Sequence, residues 1–71
     1  MKIEYFPDTD TLYIDLADRP SATSEVINDN LIIDLDKGGK PVGITIEHYS
    51  ATADSMKVET VLPQLTAIAQ F

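Results

Sequence analysis

The sequence predicts an α+β domain that is mostly β: a five-stranded antiparallel β-meander with a short C-terminal helix packed on one face. Three observations predict it. Apolar and polar residues alternate with period two in several short segments, the pattern of half-buried strands. Turn-forming residues, among them Pro7, Asn28, Asp29, Asn30, Gly38 and Gly39, separate those segments by a few positions each. No helical pattern intervenes before Val58, so the long crossovers of a parallel sheet have no place.

Each element follows from its residues. Residues 2–6 form a first strand, with Ile3 and Tyr5 on one face and Lys2, Glu4 and Phe6 on the other, and Pro7 ends it. Residues 11–17 form the second, in which Leu12, Ile14 and Leu16 alternate with Tyr13, Asp15 and Ala17. The intervening Pro7-Asp8-Thr9-Asp10 is turn chemistry, so the two strands make a hairpin. After a polar loop around Pro20 comes a third strand over residues 24–28, with Val26 facing one way and Glu25 and Ile27 the other. Asn28-Asp29-Asn30 turns the chain, because Asn and Asp tolerate left-handed backbone angles. Residues 31–35 are the fourth strand, Asp36-Lys37-Gly38-Gly39-Lys40 the clearest hairpin turn, and residues 42–49 the fifth strand.

The tail is read less simply. Residues 50–55 suit either a loop or a single helical turn, and Val58-Glu59-Thr60-Val61 either a separate turn or a sixth strand. Val58, Val61, Leu62, Leu65, Ile68 and Ala69 fall at helical spacing, and Pro63 is tolerated only in a first turn. The main helix is therefore placed over residues 63–70. The whole chain, residues 1–71, reads as a single domain: a sheet over residues 1–49 and a tail over residues 50–71.

Twelve acidic residues against five basic ones give a net charge of −7. That disfavours binding to a nucleic-acid backbone, which rewards Lys and Arg, and it favours a basic protein if a protein partner exists. No apolar run approaches the ~20 residues of a membrane helix. Met1-Lys2-Ile3 leads straight into a strand with no leader-like apolar segment, so the expected setting is the cytoplasm. There is no cysteine, so neither a disulfide nor a thiolate metal site supports the fold. A chain of this size buries only about 60% of its unfolded surface. Its predicted apolar face carries Ile3, Tyr5, Leu12, Ile14, Leu16, Val26, Leu31, Ile33, Leu35, Val42, Ile44 and Ile46. Five strands span about 20 Å or more, and a two-turn helix about 10 Å across covers half of that. A homo-oligomer, with a dimer favoured, is the expected way to cover the rest.

No catalytic residue and no cofactor site stands out. Glu4, Asp15, Asp34 and Glu47 gather on the opposite face, one per strand, where neighbouring carboxylates bind a hard divalent cation or simply make a solvated acidic surface. The second reading is preferred, because like charges on an outer face are common in acidic proteins. Phe6, Tyr13, Ile27 and Ile32 share that face and make it a second, partly apolar contact surface. Asp34-Leu35-Asp36-Lys37-Gly38-Gly39 resembles a calcium loop only in part. Gly38 and Thr45 stand where that loop needs an oxygen ligand and a bidentate Glu. Gly38-Gly39 lacks the Lys-Ser/Thr ending of a phosphate loop. His48, Ser50 and Asp54 sit too close in sequence to reach triad geometry, and a lone His at a strand end is a packing or hydrogen-bonding residue. Tyr5, Tyr13 and Tyr49 are read as packing residues of strands.

Taken together, MKIEYFPDTDTLYIDLAD followed by VINDNLIIDLDKGGKPVGITIE resembles a small, mostly bacterial family known only as a domain of unknown function, number twenty-two eighty-three. Met1-Lys2-Ile3, Tyr5, Pro7, Asp10, Leu12-Tyr13-Ile14, Val42-Gly43-Ile44, Ile46 and Glu47 carry the resemblance over roughly the first fifty residues. It implies a compact antiparallel sheet and no activity, with a hint of a paired, antitoxin-like role. Three expectations result: a self-associating interaction module, an antitoxin-like neutraliser of a small basic partner, and a divalent-metal-binding protein using the acidic face.

Overall fold

The structure, a computed structural model, describes residues 1–61. Its elements are β1 (Lys2–Phe6), β2 (Thr11–Asp15), β3 (Thr23–Asn28), β4 (Leu31–Leu35), β5 (Pro41–Ile46) and the single-turn helix α1 (Tyr49–Thr52). The five strands form one antiparallel sheet, and a short helix follows, so the predicted fold class stands. The strand order is not strictly sequential: β1-β2-β5-β4-β3. The β1–β2 hairpin and the β3–β4–β5 meander are two units, joined where β2 pairs with β5.

The joining seam has a side-chain cause. Leu12 lies opposite Ile46 and Ile14 opposite Ile44 across β2 and β5, and the same β5 residues face Leu31 and Ile33 of β4. Cross-strand apolar pairs of this kind are what stabilise neighbouring strands. The price of the seam is a longer link. Residues 16–22 must carry the chain past β5 and β4 to reach β3, about 14 Å at the usual strand spacing. Arg19 anchors that link over the β4–β5 turn: its Nε donates to Asp36 Oδ2 at 2.7 Å.

Both tight turns of the meander are built by side chains read directly from the sequence. Asn28 Oδ1 accepts the Asn30 amide at 2.7 Å. Asp36 Oδ1 accepts the amides of Gly38 and Lys40 at 2.9 Å each, and Gly39 takes φ 84°, which a glycine adopts without strain.

Several details depart from the sequence reading: β2 stops at Asp15 rather than Ala17, and β3 and β5 each start one residue earlier than expected. Val26 was expected on the apolar face and Glu25 opposite it, but Val26 pairs with Ile32 and Glu25 with Ile33, which exchanges their faces. β3 is an edge strand exposed along its whole length, so burial does not select its phase, and a register shift around Ile27 breaks the alternation. The fifth strand stops at Ile46 rather than Tyr49, because His48 turns left-handed at φ 53° and starts α1. The helix expected over residues 63–70 lies outside the described residues.

The core is thin. Leu12, Val42 and Tyr49 are its buried apolar side chains, and among the described residues no large side chain is fully enclosed.

Candidate functional site

The two sheet faces and the junction at the foot of β2 hold the side chains with chemistry to offer. On the acidic face the register sets a row across all five strands: Lys2, Asp15, Gly43, Asp34 and Ser24. Asp15 and Asp34 flank Gly43 from either side, and Glu4 stands one row away opposite Tyr13. Glu47 lies just beyond β5, its amide bonded to the Asn30 carbonyl at 2.9 Å. Thus Asp15 and Asp34 share one row, whereas Glu4 and Glu47 lie off it.

The row is occupied by its own hydrogen bonds. Tyr13 extends over Gly43 from β2, and its hydroxyl donates to Asp34 Oδ2 at 3.2 Å. Ser24 Oγ donates to Asp34 Oδ1 at 2.7 Å from the other side. Both Asp34 oxygens are therefore engaged. Partial burial and the neighbouring Asp34 charge raise the Tyr13 hydroxyl pKa above its ordinary value, so it stays a donor. Among the described residues no group of three or more His, Cys, Asp or Glu side chains is placed to hold a metal ion.

The junction at the foot of β2 centres on Asp10, at φ 55°. Its carboxylate accepts the Tyr5 hydroxyl at 2.7 Å, the Ser50 hydroxyl at 2.6 Å and the Ser50 amide at 3.1 and 3.2 Å. Its carbonyl accepts the Tyr49 amide at 2.9 Å. The Ser50 hydroxyl, followed by the Tyr5 hydroxyl, holds the Asp10 carboxyl below the usual carboxylate range. His48 Nδ1 lies 2.9 Å from Asn30 Oδ1. Ser50 thus donates to a carboxylate directly, with no imidazole in line to take its proton, and His48 is spent on Asn30. A nucleophilic relay needs the opposite arrangement.

The loop compared with a calcium site is likewise committed internally. The Lys40 amide above all, then Arg19 and the Gly38 amide, lower the Asp36 pKa. Its carboxylate is the organising centre of a hairpin turn.

Two residues escaped the sequence reading as site residues. Gly43 carries no chemistry of its own, yet a Cβ there would overlap the Tyr13 ring and hydroxyl, with the ring carbon Cζ only 2.7 Å away. Asp10 was read as a turn residue, and its partner Ser50 is forty positions distant. The Asp8-Thr9-Asp10 turn gave a signal for the first half of that contact and none for the second.

Residues 2–50 match the model of a family described as protein of unknown function (DUF2283). No curated protein and no solved structure matches the chain. Among the described residues no helix is long and apolar enough to cross a membrane.

Proposed function

The chain belongs to this family of unknown function, and from that premise we propose that it is a small self-associating interaction module whose apolar sheet face pairs with a second copy. The observation that carries the reading is a single-layer sheet with an apolar face drawn from β1, β2, β4 and β5 and only a one-turn helix against it among the described residues. Ile3 is 38% exposed, and Tyr5 and Leu16 are 36% exposed. Contiguous apolar surface of this kind marks an interaction site.

Charge selects the occupant. Two copies of a chain with net charge −7 repel unless they meet where carboxylates are few. Along the strands Glu4, Asp15 and Asp34 all share the opposite face, and on the apolar face Glu25 is the sole acidic residue, at the β3 rim. A footprint of about 19 by 17 Å lies below the size of stable specific interfaces, which fits a weak association in the micromolar range. Sedimentation equilibrium across the micromolar range is expected to show twice the 7.8 kDa chain mass. Ile3→Asp, on an edge strand, is expected to return it to a single chain while far-UV circular dichroism stays unchanged. A wild-type protein that remains monomeric throughout that range would overturn the reading.

The acidic face supports a second reading. Glu4, Asp15 and Asp34 lie there with the exposed apolar side chains of Phe6 and Val26, a combination that suits a small basic protein in an antitoxin-like pair. Such binding weakens steeply with added salt, whereas apolar self-association does not.

A further inference from the structure

We propose that Asp10 is a latch that holds α1 and its Tyr49 ring over the Tyr5 end of the apolar face, so that its release enlarges the surface available to a partner copy. The extent of that surface rests on the self-association reading; the latch itself does not.

The geometry converges on one place. Asp10 and His48 are the two non-glycine residues with positive φ among the described residues, at 55° and 53°. Asp adopts that region readily, and at His48 its modest cost is offset by surrounding contacts. Here the contacts are visible. The Asp10 carbonyl takes the Tyr49 amide, and the Asp10 carboxylate takes the Ser50 amide and hydroxyl. These are the first two residues of α1, and they directly follow the left-handed His48. His48 has no side-chain bond to the helix it caps.

The object held in place belongs to the apolar face. Tyr5 lies on that face, opposite Leu12. The Tyr49 ring packs against Tyr5 with centroids 5.9 Å apart and planes at 56°, and Tyr49 is buried to 8% exposure. Tyr5 is tied to the same carboxylate through its hydroxyl. One residue therefore holds both rings of the pair: its carboxylate takes the Tyr5 hydroxyl and its backbone carbonyl takes the Tyr49 amide. The extensive contacts among the described elements are all strand to strand, so α1 depends on few contacts besides these. If the carboxylate is lost, the His48 backbone relaxes from its left-handed angle and the Tyr49 turn swings away, uncovering the Tyr5 and Leu12 end of the face.

Asp10→Asn tests this with little change of shape, since Asn tolerates the same backbone angle. Amide hydrogen exchange on the full chain is expected to quicken by about tenfold or more at Ser50, the scale of one lost charge-assisted hydrogen bond, and in the same direction at Tyr49 as the turn opens from the Asp10 carbonyl. The β4 and β5 amides should be unaffected. Ser50→Ala, which removes the hydroxyl donor and keeps the amide, should give a smaller change in the same direction. Sedimentation of Asp10→Asn should show dimerisation strengthened severalfold. Unchanged exchange at Tyr49 and Ser50 in Asp10→Asn overturns the latch, as does an equal rise across β4 and β5, which marks global destabilisation. Faster exchange confined to α1, with both proteins monomeric, upholds the latch and overturns the self-association reading instead.

Discussion

The two faces of this sheet are held by different kinds of contact. On the apolar face, Ile3, Ile14, Ile44 and Ile33 form one cross-strand row and Tyr5, Leu12, Ile46 and Leu31 the next. Tyr5 apart, whose hydroxyl is bonded to Asp10, each position needs only an apolar side chain of about the right volume. On the acidic face the contacts are individual. Tyr13 crosses a glycine to reach Asp34, which Ser24 holds from the far strand. The first face tolerates exchange of one apolar residue for another, and the second depends on named partners. The apolar rows thus hold neighbouring strands together, and the acidic face adds contacts between particular residues.

The sharpest way to break that contrast is at the best-packed positions of the apolar face. Leu12→Ala is expected to cost about 2–4 kcal/mol in urea unfolding, because Leu12 is only 6% exposed. Leu12→Met should cost well under half as much, since volume is retained. An equal loss for both would mean that the apolar face also depends on specific shape.

A smaller effect is expected at Gly43. Gly43→Ala should destabilise by about 1–2 kcal/mol, because the new Cβ displaces the Tyr13 ring and costs its bond to Asp34. In a Tyr13→Val background the same substitution should be close to neutral, and a double-mutant cycle reads the coupling directly. Additive effects would show that Tyr13 and Gly43 act independently.

The smallest effect lies at the rims, where acid separates turn carboxylates from both faces. Asp10 and Asp36 have pKa values lowered by folding, Asp10 chiefly through Ser50 and Asp36 chiefly through the Lys40 amide. For such a group the stabilisation is fully present above the unfolded carboxylate value of about 3.9 and is lost as pH falls through the lower folded value. Stability of the wild type should therefore decline on acidification below about pH 4, and the decline should be shallower in Asp10→Asn and Asp36→Asn. Parallel acid limbs in all three proteins would remove both turns from the account.

Much of the fold was legible because its signals are local. The bounds of β1 and β4 match those read from the sequence to the residue, and the Asp36 turn contains its own donors within four positions. The acidic residues were legible as a set, and three of them, Glu4, Asp15 and Asp34, do share a face. The phase of β3 was not, because neither side of an exposed edge strand is selected by burial. Val26 and Glu25 exchanged faces for that reason. The Asp10 junction was half legible, as a turn whose residue was visible and whose partner was not.

The amino-acid sequence by itself determined five strands, their turns, an acidic surface and an apolar face, since each depends on neighbours a few residues away. Only the tertiary structure decided that β2 lies beside β5, that Tyr13 passes over Gly43 to Asp34, and that Asp10 grips Ser50. The physical reason is that alternation states which way a side chain points and carries no information on which strand lies next to it. That choice is made by the fit of whole rows, Leu12 against Ile46 and Ile14 against Ile44 with a glycine where the tyrosine must cross.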